Sequence, residues 1–268
     1  MRKTRIIVPC YNESQRLVPQ AFLSLVHENP SLSFLFVNDG STDSTLQILG
    51  SIRDGNPGQV DVLDLETNRG KAEAVRRGIL DACDGPFDYV GYWDADLATP
   101  LDAIADFCEV LETRQVDAVL GSRVRLLGRR IKRRPLRHYL GRVFATFASM
   151  LLGMHIYDTQ CGAKIFRNST ALRIVFGTPF KVRWTFDVEM LARFPLALEC
   201  SSAEASANWV EFPLQEWRDI KGSKVGMTDY LNALAEFGTM LFYLRTPARK
   251  AYKRYLEGWR GRPADSRI

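Results

Sequence analysis

Five short apolar runs, each closed by polar residues and separated by stretches of helical period, constrain this chain more than anything else in it. They fall at residues 5–8, 34–37, 60–63, 89–93 and 116–120, with helix-period segments at 15–27, 44–53, 71–83 and 101–113 between them. Apolar runs this short, bounded by polar loops, are what strands of a parallel sheet covered on both faces look like. Helix starts are marked by Ser41/Thr42 as capping candidates and by Pro100 at a first-turn position. The repetition predicts an α/β fold with a Rossmann-like, doubly wound and mostly parallel sheet, whose ligands sit at the carboxyl ends of the strands. At 268 residues there is room for one such domain and an appendage. The expected division is a catalytic unit over 1–222 and basic amphipathic helices over 223–268.

Three polar clusters follow expected strands directly: Asn12-Glu13, Asn38-Asp39-Gly40-Ser41 and Asp94-Ala95-Asp96. All three should therefore meet on one rim. In an extended turn, residues i and i+2 share a face, so Asp94 and Asp96 can approach one hard divalent cation, Mg2+ or Mn2+. Such an ion would bridge diphosphate oxygens and stabilise a leaving nucleotide diphosphate. Two aspartates at a strand end also serve as turn or capping residues, and it is their company on the rim that favours the metal. Asp39 can accept from a base N–H or a ribose hydroxyl, or simply shape an Asx-turn. Lys71, entering a helix after Gly70, is placed to meet a phosphate. The spacing is not that of a P-loop, so ATP hydrolysis is not supported.

The net charge of +5 hides a strong asymmetry. No acidic residue occurs over 118–157, while nine Lys/Arg fall within 123–142, leaving the rest of the chain at 5 − 9 = −4. That field implies an anionic partner: phosphate, nucleic acid or lipid headgroups. A nucleic-acid module would leave the rim carboxylates unexplained, since they repel phosphate unless a metal is bound. Five widely spaced cysteines without a CxxC suggest neither a zinc site nor a disulfide frame, and fit a reducing, cytoplasmic setting. The first strand starts almost at Met1, so no signal peptide is expected. The apolar run over 143–157 is below the roughly 18–20 residues that span a bilayer, but could lie in a membrane surface beneath the basic loop. Residues 245–267 add eight Lys/Arg against two acids, interleaved with Tyr252, Tyr255 and Trp259, and read as a second surface element.

The ordered series Pro9-x-Tyr11-Asn12-Glu13, Asn38-Asp39-Gly40-Ser41-x-Asp43, Asn68-x-Gly70-Lys71 and Asp94-Ala95-Asp96 resembles the family-two nucleotide-sugar glycosyltransferases of the GT-A fold. It continues through Gly121-Ser122-Arg123, Asp158-Thr159-Gln160-Cys161-Gly162-x-Lys164, Trp184-x-Phe186-Asp187-x-Glu189 and Asn208-Trp209. This later set resembles the dolichyl- or polyprenyl-phosphate glucosyltransferase branch, near the mannosyltransferases that use the same lipid. The resemblance implies an inverting displacement at the anomeric carbon. Pro9, Tyr11, Glu13 and Asp39 would hold the nucleoside, and Asp94 and Asp96 would serve metal and diphosphate. Arg123 and Arg137 match the positions where such enzymes bind the acceptor phosphate. Asn38 stands where the family often has Asp. Ala98 replaces a metal-binding Gln of the mannosyl branch, which favours glucose, with UDP-glucose as the preferred donor and GDP-mannose as the alternative. A lipid phosphate is ionised near neutral pH and needs no general base. A saccharide hydroxyl acceptor would need one, with Asp187 or Asp158 as candidates. The expected protein is thus a transferase held peripherally at the cytoplasmic membrane face.

Overall fold

In the computed structural model, which describes residues 1–132, 135–220 and 227–258 and the side chains of all but 135–138 and 227–231 of these, the alternation folds as a three-layer α/β sandwich. The first half runs β1 (Thr4–Cys10), α1 (Pro19–Glu28), β2 (Leu32–Asp39), α2 (Thr45–Gly55), β3 (Val60–Leu65), α3 (Lys71–Asp84), β4 (Tyr89–Trp93), α4 (Ala103–Thr113) and β5 (Ala118–Ser122). The second half runs β6 (Arg130–Lys132), α5 (Pro135–Leu152), β7 (Ala163–Arg167), α6 (Thr170–Gly177), α7 (Phe186–Leu198), α8 (Ser202–Ser206), β8 (Trp209–Pro213), β9 (Glu216–Arg218), α9 (Met227–Arg245) and α10 (Ala248–Glu257).

The seven-stranded sheet has the order β3-β2-β1-β4-β7-β5-β8, and six of its strands are parallel. The exception is β7, which enters antiparallel between β4 and β5. Its sequence, Ala-Lys-Ile-Phe-Arg, carries a lysine in mid-strand, which masks the apolar run expected of a central strand. Strand order reverses at β1, which lies between β2 and β4, and at such a switch point the loops leaving adjacent strands splay apart to form a crevice. The carboxyl ends of β1, β2 and β4 and the loops leaving them carry the three polar clusters, so the topology brings them to one rim.

Each face of the sheet buries its own core. On one, Phe22 of α1 meets the edges of Phe34 and Phe36 of β2 at 5.2 and 5.0 Å between ring centroids. On the other, α3, α6 and α7 cover Val37, Val90 and Phe166. α10 is fastened to α7 inside this second core. The Tyr252 hydroxyl donates to Glu189 Oε1 at 2.5 Å, and Arg193, fully buried, pairs with the same oxygen at 2.7 Å. Removing one member of such a buried charge network typically costs about 3–5 kcal/mol.

The surface element expected over 245–267 is corrected in part: Tyr252 of α10 is 2% exposed and belongs to the core, held there by Glu189 and Arg193. The remaining differences from the sequence reading are local. The helix expected over 15–27 starts at Pro19, because the Glu13 carbonyl folds the preceding residues into a turn by accepting from Arg16 and Leu17 N–H at 2.8 and 2.9 Å. Ser41 and Thr42 do not cap α2. They instead bond Asn12, whose backbone N–H reaches Ser41 Oγ at 3.0 Å and whose Oδ1 accepts from Thr42 N–H at 2.9 Å. α4 begins after Pro100, at Ala103.

Candidate active site

Asp94 and Asp96 leave the end of β4 in a turn completed by Leu97, a branched residue at φ 55°. A non-glycine residue held there stores roughly 1–3 kcal/mol of strain, a cost that surrounding contacts must offset. The contacts are visible. Asp96 Oδ1 accepts from Ala98 N–H at 3.0 Å, and Asp94 N–H donates to the Gly162 carbonyl at 3.0 Å. Gly162 also gives the Asp94 carboxylate its space: a Cβ there would overlap the carboxylate atoms. Lys71, first residue of α3, places Nζ 2.5 Å from Asp94 Oδ1. Burial opposes its charge, but Asp94, Asp187 and Asp96 outweigh that and raise its pKa. Asp96 is pushed above the usual carboxylate range by burial and then by Asp94. Two carboxylates crowded in this way suit a divalent cation, which relieves their repulsion. Among the described residues no three His, Cys, Asp or Glu groups gather to hold a metal alone, so diphosphate oxygens and water would complete an Mg2+ or Mn2+ shell.

A cavity of about 420 Å³ opens on one side of this pair, lined by Pro9, Tyr11, Glu13, Asp39, Asn68 and Gly70 together with Lys71, Asp94 and Asp96. Every residue assigned to the nucleoside by resemblance is therefore on its wall. Asp39 is already engaged: its two oxygens accept from Arg69 and Gly70 N–H at 2.7 and 2.8 Å. A carboxylate has about four acceptor directions, so a ribose hydroxyl can still be taken. Asn38, at the position where an aspartate is common in the family, donates from Nδ2 to Asp64 Oδ1 at 2.6 Å. A carboxylate at 38 would confront Asp64, so the amide belongs to this local pair.

On the other side of the pair lies a second cavity, about 330 Å³, sharing Lys71, Asp94 and Asp96 and walled by Ala98, Arg123, Arg142, Asp158, Arg183, Trp184, Asp187 and Trp217. Arg123 is locked bidentately to Asp158, with Nε to Oδ2 at 2.6 Å and Nη2 to Oδ1 at 2.8 Å, and lies over the Trp217 ring at 5.3 Å. Burial works against its charge and Asp158 more than offsets this, keeping the guanidinium firmly protonated. Glu211 of β8 holds the Asp158 turn in place by accepting from Tyr157 and Asp158 N–H at 2.7 and 2.8 Å. The side chain of Arg137 lies outside the described residues. Arg142 donates to the Tyr157 carbonyl at 2.9 Å and stacks on that tyrosine ring at 3.5 Å.

Asp187, in the first turn of α7, is buried against the sheet. Its Oδ1 takes Lys164 Nζ at 2.6 Å and also the Tyr92 hydroxyl. Tyr92 and Lys164 are cross-strand partners on β4 and β7, so the antiparallel insertion of β7 is what assembles this triad. Burial first and Asp187 second push the Tyr92 phenol well above its ordinary pKa, so it remains a donor. Ala98 offers the cavity only a methyl group, while its carbonyl accepts from Arg218 N–H at 3.2 Å.

Residues 5–174 match the sequence profile of Glycosyl transferase family 2. The chain belongs to this family. It is a glycosyltransferase. Among curated relatives, a dolichyl-phosphate beta-glucosyltransferase of Dictyostelium discoideum is 36% identical over 77% of this chain and 66% of its own length. Enzymes of the same description from Trichomonas vaginalis and Drosophila melanogaster are 32% and 33% identical, over 90% and 95% of this chain and 72% and 76% of theirs. The chain thus spans about two thirds to three quarters of the length of these relatives. Among solved structures, the glucosyl-3-phosphoglycerate synthase of Mycobacterium tuberculosis superposes with a TM-score of 0.63 at 16% identity, covering 92% of this chain and 82% of that one. That likeness places the fold as GT-A. The same enzyme has been crystallised with Mn2+, UDP and glucosyl-3-phosphoglycerate.

Arg183 and Trp217 were not singled out by sequence reasoning, and Arg142 entered it only as the last of the nine basic residues over 123–142. Arg183 adjoins Trp184 of a recognised motif, which is a signal that could have found it. Trp217 is brought to the cavity by β9, and nothing in its local sequence announces it.

Proposed function

We propose that this glycosyltransferase moves glucose from UDP-glucose to a polyprenyl or dolichyl phosphate, with inversion, at a membrane surface. The observation that carries the reading is the pair of cavities meeting at Lys71, Asp94 and Asp96, one walled by the nucleoside motifs and the other by arginines. A nucleotide diphosphate sugar laid across that junction would put its diphosphate at the lysine and carboxylates and its hexose toward the arginines. The relatives' names point to the same donor sugar and acceptor class. When bound, a divalent cation at Asp94 and Asp96 would neutralise charge on the departing diphosphate.

The acceptor side supports a phosphate over a hydroxyl. An ionised phosphate monoester is already a nucleophile and needs positioning and charge balance, which guanidinium groups supply. Asp187, whose Oδ1 is occupied by Lys164 and Tyr92, is poorly disposed to take a proton from a sugar hydroxyl. We assign Arg123 to the acceptor phosphate through Nη1, the guanidinium nitrogen that the bidentate pair with Asp158 does not use, and Arg137 to the same role. Ala98, which offers no side-chain ligand beside the carboxylate pair, remains the argument for glucose over mannose.

We place the protein peripherally on the cytoplasmic membrane face, with residues 1–222 catalytic and α9 serving the membrane, while α10 packs Tyr252 and Leu256 into the core. Exposed Tyr139, Val143, Phe147 and Met150 form a stripe along α5, and Leu234, Leu241 and Phe242 stand exposed on α9 beside it. The two helices touch through Phe144 and Phe237, 4.9 Å between centroids. Among the described residues no helix is long and apolar enough to cross a membrane. The test is a screen of UDP- and GDP-hexoses with polyprenyl phosphate present and absent, reading sugar transfer and bare donor hydrolysis separately. Lipid-dependent transfer from UDP-glucose is expected. Transfer to a saccharide with none to the lipid would sink the reading.

A further inference from the structure

Four cations line the second cavity, and three are committed. Lys71 sits on Asp94, Arg123 on Asp158, and Arg142 on the Tyr157 carbonyl and ring. The fourth is Arg183, exposed at the cavity wall, whose guanidinium has no carboxylate partner among the described residues. It lies against the backbone of Gly70: a Cβ at that glycine would stand 3.0 Å from Nη2 and 3.3 Å from Nε. Gly70 belongs to the wall of the nucleoside cavity and Arg183 to the wall of the other, so this guanidinium lies at the border between them, against the residue that precedes Lys71.

Its backbone is held from a distant part of the chain. Glu236, on α9, accepts from three consecutive N–H groups: Arg183 at 3.0 Å, Trp184 at 3.1 Å and Thr185 at 2.8 Å. It also accepts from the Thr185 hydroxyl at 2.7 Å. One carboxylate thus fixes the segment that delivers Arg183 and Trp184 to the cavity and leads into Asp187.

We infer that Arg183 grips the diphosphate of the sugar donor, and that Glu236 is the positioning residue that presents it. The inference rests on the nucleotide-sugar reading above and deepens it. A planar fork beside a lysine suits two adjacent phosphate groups, one taken by each cation. Because Glu236 shares its helix with the exposed Leu234 and Leu241, the grip on the donor is mechanically tied to the face offered to lipid.

The test is calorimetric titration of the full chain, with Mn2+ present, using UDP against UMP and GDP against GMP. Arg183→Ala should weaken the preferred diphosphate by about 10- to 100-fold, the worth of charge-assisted hydrogen bonds, and leave its monophosphate within about twofold. Arg183→Lys should recover part of the loss. Glu236→Gln should reproduce part of it and add nothing further in the Arg183→Ala background. Equal diphosphate binding by wild type and Arg183→Ala overturns the assignment alone, as does a matching loss with the monophosphate. So does a defect seen only in the KM for lipid phosphate, which would move Arg183 to the acceptor. An additive Glu236→Gln effect overturns the positioning role. Wild-type protein that binds none of the four nucleotides overturns the donor reading itself.

Discussion

Lys71 Nζ stands 2.5 Å from Asp94 Oδ1, so one carboxylate of the pair is already matched by a cation, and a lysine there can also meet phosphate. Asp96 is matched less well, since burial and the neighbouring Asp94 both disfavour its charge. A pair held in this tension trades stability for binding. Replacing Asp96 by Asn should therefore leave the melting temperature unchanged or higher while transfer falls at least about 100-fold, the scale of a lost metal contact. Initial rates and a thermal melt on one sample check both halves. Full turnover by this variant in EDTA would exclude the metal-assisted scheme.

Gly162 is the complement of Asp94 across the β4–β7 pair. Because a Cβ at 162 overlaps the Asp94 carboxylate, Gly162→Ala must displace that side chain. Transfer should drop by about 100-fold or more, with Lys71→Ala in the same background adding little, since both act on one group. A double-mutant cycle on the rate measures this.

Arg123 and Asp158 form a bidentate pair at 12% and 9% side-chain exposure. Arg123→Ala strands a buried carboxylate and should destabilise the fold by about 3 kcal/mol. Adding Asp158→Asn removes the stranded charge and should restore most of that stability without restoring use of the lipid phosphate. Urea melts alongside acceptor titrations separate the two roles.

Asp43 braces the rim by accepting from Ser14 Oγ at 2.7 Å and Thr45 N–H at 2.9 Å. Slight burial acts to raise its pKa, but the Thr45 and Ser14 hydrogen bonds prevail and bring it to about 2. A depressed folded pKa contributes stability that is complete above the unfolded value of 3.8 and is lost as pH falls toward 2. Asp43→Asn should thus cost about 1 kcal/mol at pH 7, after allowance for solvent screening, and progressively less between pH 3.8 and 2. Denaturant melts of both proteins across that range give the difference.

The apolar stripe predicts a surface phenotype. Phe147→Glu with Leu241→Glu, at positions 56% and 53% exposed, should release the protein from anionic vesicles without lowering its melting temperature. Turnover with a short, water-soluble prenyl phosphate should persist. Unchanged sedimentation with vesicles would remove α5 and α9 from the membrane account.

Much of the site was legible because it is local. Tyr11, Glu13, Asp39, Asp94 and Asp96 each lie at the end of a strand or within three residues after it, so naming the strands named the rim. The capping role expected of Ser41 and Thr42 failed because Asn12, about 30 positions away, competes for the same donors and acceptors. Strand β7 was missed because Lys164 reads as a surface residue until Asp187 supplies its counter-charge inside the core.

The sequence alone determined the alternation of strands and helices, and with it the rim on which the motif residues collect, because hydrophobic period and strand-to-loop order are properties of neighbouring residues. Only the tertiary structure decided which charge answers which: Lys164 to Asp187, Arg123 to Asp158, Glu236 to the backbone ahead of α7. Those choices join segments 23 to 53 residues apart, and burial makes each exclusive, since an ion taken out of water must find its partner where packing has put one.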